Sequence, residues 1–78
     1  MPEINERWLP KKGKAGKSYA VRHPLRGRIE LEVQPVRITQ IYTADRAVQL
    51  APESDESGTR SRTTVKVADL RRYWKKEA

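Results

Sequence analysis

No cysteine and no phenylalanine occur among the 78 residues, and His23 is the only histidine. Without cysteine there can be no disulfide, thiolate metal site or cysteine nucleophile. His23 has no further histidines or carboxylates at ligand spacing, so it builds no metal centre. Beside Pro24 it reads as a surface turn residue, and no cofactor is expected. No apolar run approaches the roughly 18 residues of a bilayer span, and the N-terminus has no hydrophobic stretch that would serve as a signal peptide. These absences lead us to expect a soluble cytoplasmic protein that does not act at a membrane. The opening Met1, with no evident tag, fits a complete small gene product. Apolar residues are also scarce, at 36% of the chain, a composition close to that of disordered segments. They are concentrated, however, between Tyr19 and Leu50 and between Val65 and Trp74. That clustering predicts one small folded core with disordered flanks.

What the chain does have is charge sorted by segment. Residues 1–28 carry eight Lys/Arg against two acids, 29–58 two against six, and 59–78 seven against two, giving a net +7. Two basic ends flank an acidic middle, a distribution suited to an anionic partner.

Within residues 1–17, Ile4, Trp8 and Leu9 have helical spacing, but Pro10 stops any continuation. Four lysines and two glycines then follow between Lys11 and Lys17, so this segment is expected to be a flexible basic arm preceding a domain of residues 18–78. From Ser18 the period becomes two. Tyr19 and Val21 mark a short strand ended by Pro24, and Gly27 permits a turn. Ile29, Leu31 and Val33 alternate with Glu30, Glu32 and Gln34 as a half-buried strand. The alternation slips at Pro35, which predicts a bulge or sharp bend there, and slips again between Ile38 and Ile41, so that a long strand can curve around a small barrel. Thr43 to Arg46 reads as a tight turn in a hairpin that returns through Ala47 to Leu50. Residues 52–62 are polar and expected to form a mobile loop. A last strand over 63–67 leads to a helical turn in which Asp69 caps, Leu70, Tyr73 and Trp74 share a face, and Lys75 and Lys76 suit the dipole.

The bent stretch from Ile29 to Tyr42, the Ala47 to Leu50 strand and the run Thr64-Val65-Lys66-Val67-Ala68-Asp69-Leu70-Arg71 together resemble a small SH3-like barrel. The resemblance covers residues 19–74 and lies in the architecture, with no diagnostic motif. It implies a mainly β fold of about five short strands with a C-terminal helical turn. The acidic-aromatic ligand face of peptide-binding SH3 domains is missing. An OB-like barrel, or an α+β sheet with one C-terminal helix, satisfies the same pattern.

Two motifs suggest enzymes and fail on context. Gly13 to Ser18 ends like a phosphate-binding P-loop, but the position five before Gly16 is Lys11 and a strand, not a helix, follows. Glu30 and Glu32 share a strand face, as paired catalytic carboxylates would, yet no nucleophile accompanies them. A non-enzymatic protein is expected.

The basic clusters are the candidate site: Lys11, Lys12, Lys14 and Lys17; Arg26 and Arg28; Arg60 and Arg62; and Arg71, Arg72, Lys75 and Lys76 beside Trp74. Such clusters bind phosphate backbones by counterion release, with little demand on sequence, and Trp74 could stack on a base. Tyr73 and Trp74 fit barrel packing better than stacking. The reading is a nucleic-acid-binding protein, for DNA or RNA, of low sequence specificity. The alternative is a protein-interaction module, such as a mobile-element product that inhibits or redirects a host complex. An exposed barrel edge would also allow a dimer.

Overall fold

The computed structural model describes residues 1–53 and 62–77. Its elements are β1 (Arg7–Pro10), β2 (Ser18–His23), β3 (Gly27–Glu32), β4 (Val36–Tyr42), β5 (Ala47–Pro52), β6 (Thr63–Lys66), α1 (Val67–Tyr73) and β7 (Trp74–Lys76). Five strands form one sheet in the order β6-β5-β4-β1-β7, curled into a half-barrel, and β2 and β3 form a separate hairpin. The fold is mainly β, as expected, but with seven strands among the described residues where the sequence suggested about five. Most of the expected mobile loop, residues 54–61, lies outside the described residues.

The expected flexible arm is corrected. Residues 7–10 are a strand inside the sheet, with Trp8 opposite Val36 of β4 on one side and Lys76 of β7 on the other. Burial drives this: Trp8 is 7% exposed, and removing that much apolar surface from water outweighs the polar surroundings that make the segment look unstructured. The lysine-rich loop is tied down as well. The Lys11 N–H donates to the Tyr73 carbonyl (3.0 Å), Gly16 N–H to the Val33 carbonyl (2.8 Å) and Val33 N–H to the Lys17 carbonyl (2.8 Å). Gly13 and Gly16 take left-handed backbone at φ 82° and 78°, where residues with a Cβ are strained.

Both expected phase slips appear. The chain leaves β3 after Glu32 and crosses to the other sheet at Pro35, so the continuous bent strand expected from Ile29 to Tyr42 is two strands in two sheets. The second slip is a β-bulge. Ile38 pairs with Leu50 and Gln40 with Gln49, which leaves Thr39 as the extra residue. Its hydroxyl donates to the Gln49 side-chain oxygen at 2.9 Å. The expected hairpin over 43–46 is present, with Tyr42 paired to Ala47.

The core is built from Val21, Val33, Ile38, Val48, Leu50, Val65, Leu70 and Trp74, each at most 2% exposed. Leu70 brings α1 against this core, and the helix ends one turn earlier than its sequence suggested. Trp74 is already extended (φ −120°, ψ 160°) and opens β7. Pairing with β1 draws it out of the helix. Pro10 lies opposite Trp74, Leu9 opposite Lys75 and Trp8 opposite Lys76.

Candidate nucleic-acid interface

The β2–β3 hairpin stands beside α1, and Asp69 joins them. Its carboxylate, on a residue 8% exposed, accepts the Arg22 backbone N–H at 2.7 Å. The expected role of Asp69 as helix cap is therefore corrected; Lys66 occupies the cap position without a side-chain bond. From Asp69 the helix runs back along β2, and Tyr73 stacks on Tyr19 with ring centroids 4.3 Å apart. Asp69→Ala would leave the part-buried Arg22 N–H without its acceptor and is expected to cost about 1 kcal/mol in urea denaturation. Asp69→Asn keeps a carbonyl acceptor and should recover most of that loss. Equal damage from both would show that the charge, not the hydrogen bond, matters.

Between hairpin, helix and the 43–46 turn runs an open groove made of two adjoining depressions of about 680 and 510 Å³. Arg22, Lys66, Asp69 and Arg72 line both. Arg46 and Arg71 add to the first and Arg28 to the second, so six bases face two acids, Asp45 and Asp69. Neither acid pairs with these bases. Asp69 holds a backbone N–H, and the Lys66 ammonium donates to the Asp45 main-chain carbonyl at 2.8 Å. Arg22 and Arg28 sit directly opposite each other across the hairpin, both exposed. Like charges at that register repel. The hairpin tip is held by His23, whose Nδ1 accepts the N–H groups of Leu25 and Arg26, both at 3.1 Å. This is the turn role expected of it.

The basic residues expected from sequence divide accordingly. Arg28, Arg71 and Arg72 come together in the groove. Lys14 does not line the groove; its ammonium is 5.2 Å from the Tyr19 ring centroid. Lys11, Lys12 and Lys17 are exposed on the same tied loop, which meets α1 at Tyr73, about 6 Å along the helix axis from Asp69. Arg26 is exposed on the hairpin tip and does not line the groove. Lys75 and Lys76 lie on β7, and Lys76 is 3.0 Å from a Glu6 carboxylate oxygen. Burial alone would raise the Glu6 carboxyl, yet donors from Glu3, Lys76 and Trp8 hold it below its ordinary value of 4.5. Arg62 immediately precedes β6 and is about 13 Å from Lys66 if the chain is extended there. Arg60 lies outside the described residues.

Trp74 is corrected as a stacking residue. It is 1% exposed and its indole N–H donates to the Gln34 carbonyl at 2.7 Å, so it packs the core. Three groove residues escaped sequence reasoning: Arg22, Arg46 and Lys66. Arg22 was legible in part, because a hairpin turning over residues 24–26 places it opposite Arg28. Arg46 and Lys66 are brought in by the pairing of β5 with β6, where Ala47 faces Lys66.

Among the described residues no cluster of three or more potential metal ligands occurs. None of their helices is long and apolar enough to cross a membrane. Comparison with family models, characterised proteins and solved structures gives no match.

Proposed function

We propose that this chain is a small, non-enzymatic, cytoplasmic nucleic-acid-binding protein on an SH3-like barrel, and that the hairpin–helix groove holds a phosphate backbone. The observation that carries the reading is the Arg22–Arg28 pair. Two arginines are paired opposite each other across the hairpin, and among the described residues neither is in an ion pair. A phosphate between them would turn that repulsion into two charge-assisted contacts. Arg72 and Lys66 on the facing wall supply further charge. The rings near the groove are engaged with one another: Tyr19 stacks on Tyr73, Lys14 lies over Tyr19, and Tyr73 meets Trp74 edge-on. This favours contact with phosphates over stacking on bases, and so low sequence specificity.

Binding measured by fluorescence anisotropy on duplex and single-stranded oligonucleotides is expected to weaken steeply between about 50 and 200 mM salt. The triple substitution Arg22→Ala, Arg28→Ala, Arg72→Ala should reduce the log–log salt slope by about 2–3, since each phosphate contact contributes about 0.9. Affinity at low salt should fall at least about tenfold with it, while Lys75→Ala has little effect. A flat salt response in the parent chain, or an unchanged slope in the triple variant, would remove the proposal.

A further inference from the structure

Strand β3 pairs with β2 only, so among the described residues its other edge has no strand neighbour. Free edges are commonly kept apart by charge of one sign. Here the sign reverses midway. Reading along the edge, Arg26, Gly27 and Arg28 precede Ile29, and Glu30, Leu31 and Glu32 follow it. Arg28, Glu30 and Glu32 are exposed, and none of them is in an ion pair among the described residues.

We infer that this edge is a docking surface for a second copy of the chain, joined antiparallel about Ile29 into a four-stranded sheet. Strands so paired lie about 4.8 Å apart, and residues directly opposite share a face. With the twofold at Ile29, Arg28 lies opposite the second copy's Glu30, and Glu30 opposite the second copy's Arg28. Beyond the strand ends, Arg26 approaches the second copy's Glu32 in the same sense. No like charges meet in this register. On the other face, half-buried Ile29 meets its own copy. Half-buried Leu31 lies opposite Gly27, which has no side chain and open space around it. A pairing shifted by one step about Glu30 would set two glutamates face to face, so charge selects the first register. A six-residue edge is short for a protein interface, so the dimer is weak, concentration-dependent and sensitive to salt.

Sedimentation equilibrium of the full chain over ~10 µM to ~1 mM at low salt tests this without nucleic acid present. The parent chain is expected to dimerise. Glu30→Arg and Arg28→Glu, each alone, place like charges opposite and should weaken the dimer at least about tenfold. The double variant carrying both changes restores complementarity and should dimerise again. An equimolar mixture of the two single variants should form a heterodimer, because each supplies the charges the other lacks. Circular dichroism confirms that each variant is folded. A parent chain that stays monomeric throughout overturns the inference. So does a dimer indifferent to both single variants, or a double variant and a mixture that stay monomeric. Glu30 does not line the groove, so Glu30→Arg should leave nucleic-acid binding intact or stronger, and the two proposals fail separately.

Discussion

A chain starting at Ser18 is expected to be unfolded in buffer at 25 °C. Strand β1 sits between β4 and β7, so its removal strips hydrogen-bond partners from both neighbours at once. It also removes Trp8 from the core and the acceptor for the Val33 N–H. Losing a buried tryptophan side chain alone costs about 3–5 kcal/mol. A domain of this size has about 4–12 kcal/mol in total, at 0.05–0.15 kcal/mol per residue. Loss of the far-UV circular dichroism of the sheet, and of any cooperative urea transition, is the result to look for. A truncated chain that still unfolds cooperatively would mean β1 is peripheral. The basic loop can be tested separately. Replacing Lys11, Lys12, Lys14 and Lys17 by alanine removes charge while leaving β1 and the loop's backbone hydrogen bonds, so the fold should persist.

Trp74→Ala is the single substitution expected to do most harm. The ring is among the largest fully buried side chains and meets Tyr73 at 6.4 Å between centroids. Truncation leaves a cavity where α1 passes into β7, at a cost of about 3–5 kcal/mol. The indole N–H also holds the Gln34 carbonyl, on the segment that carries the chain from β3 to β4, so a further ~1–2 kcal/mol goes with that bond. Together these approach the whole stability of the domain. Trp74→Phe fills most of the volume without the donor and should lose less than half as much. Urea titration followed by circular dichroism would compare the three chains. A Trp74→Ala protein within about 1 kcal/mol of the parent would contradict the burial of this ring.

Local pattern made the interior legible and left long-range pairing out of view. The alternation at Ile29, Leu31 and Val33, the slips at Pro35 and between Ile38 and Ile41, and the 43–46 turn are short-range signals, and each corresponds to something in the fold. β1 was missed because four residues with only Trp8 and Leu9 as apolar members have no periodicity of their own; their strand character comes from partners far along the chain. Trp74 reads as helical in the sequence for the same reason. Its i, i+4 spacing from Leu70 is genuine, but pairing with Pro10 overrides it. Of the candidate site, charge clustering identified Arg28, Arg71 and Arg72. It could not separate them from Lys76, whose ammonium is answered by Glu6. Arg22, Arg46 and Lys66 are scattered in sequence and gathered only by topology.

The pairing of β1 with β7 also sets an order of events during synthesis. Trp8 is made before its strand partner Lys76, which comes 68 residues later. Until β7 leaves the ribosome, β1 can pair only along its β4 edge, and its other edge stays open with the indole only partly covered. Contacts of such long sequence separation slow folding, because the chain must close a large loop before the contact repays it. For this protein the sheet is completed by two strands far apart in sequence, and the nascent chain waits with a tryptophan-bearing edge exposed. That interval, more than the finished fold, is when the chain is open to aggregation or capture by a chaperone.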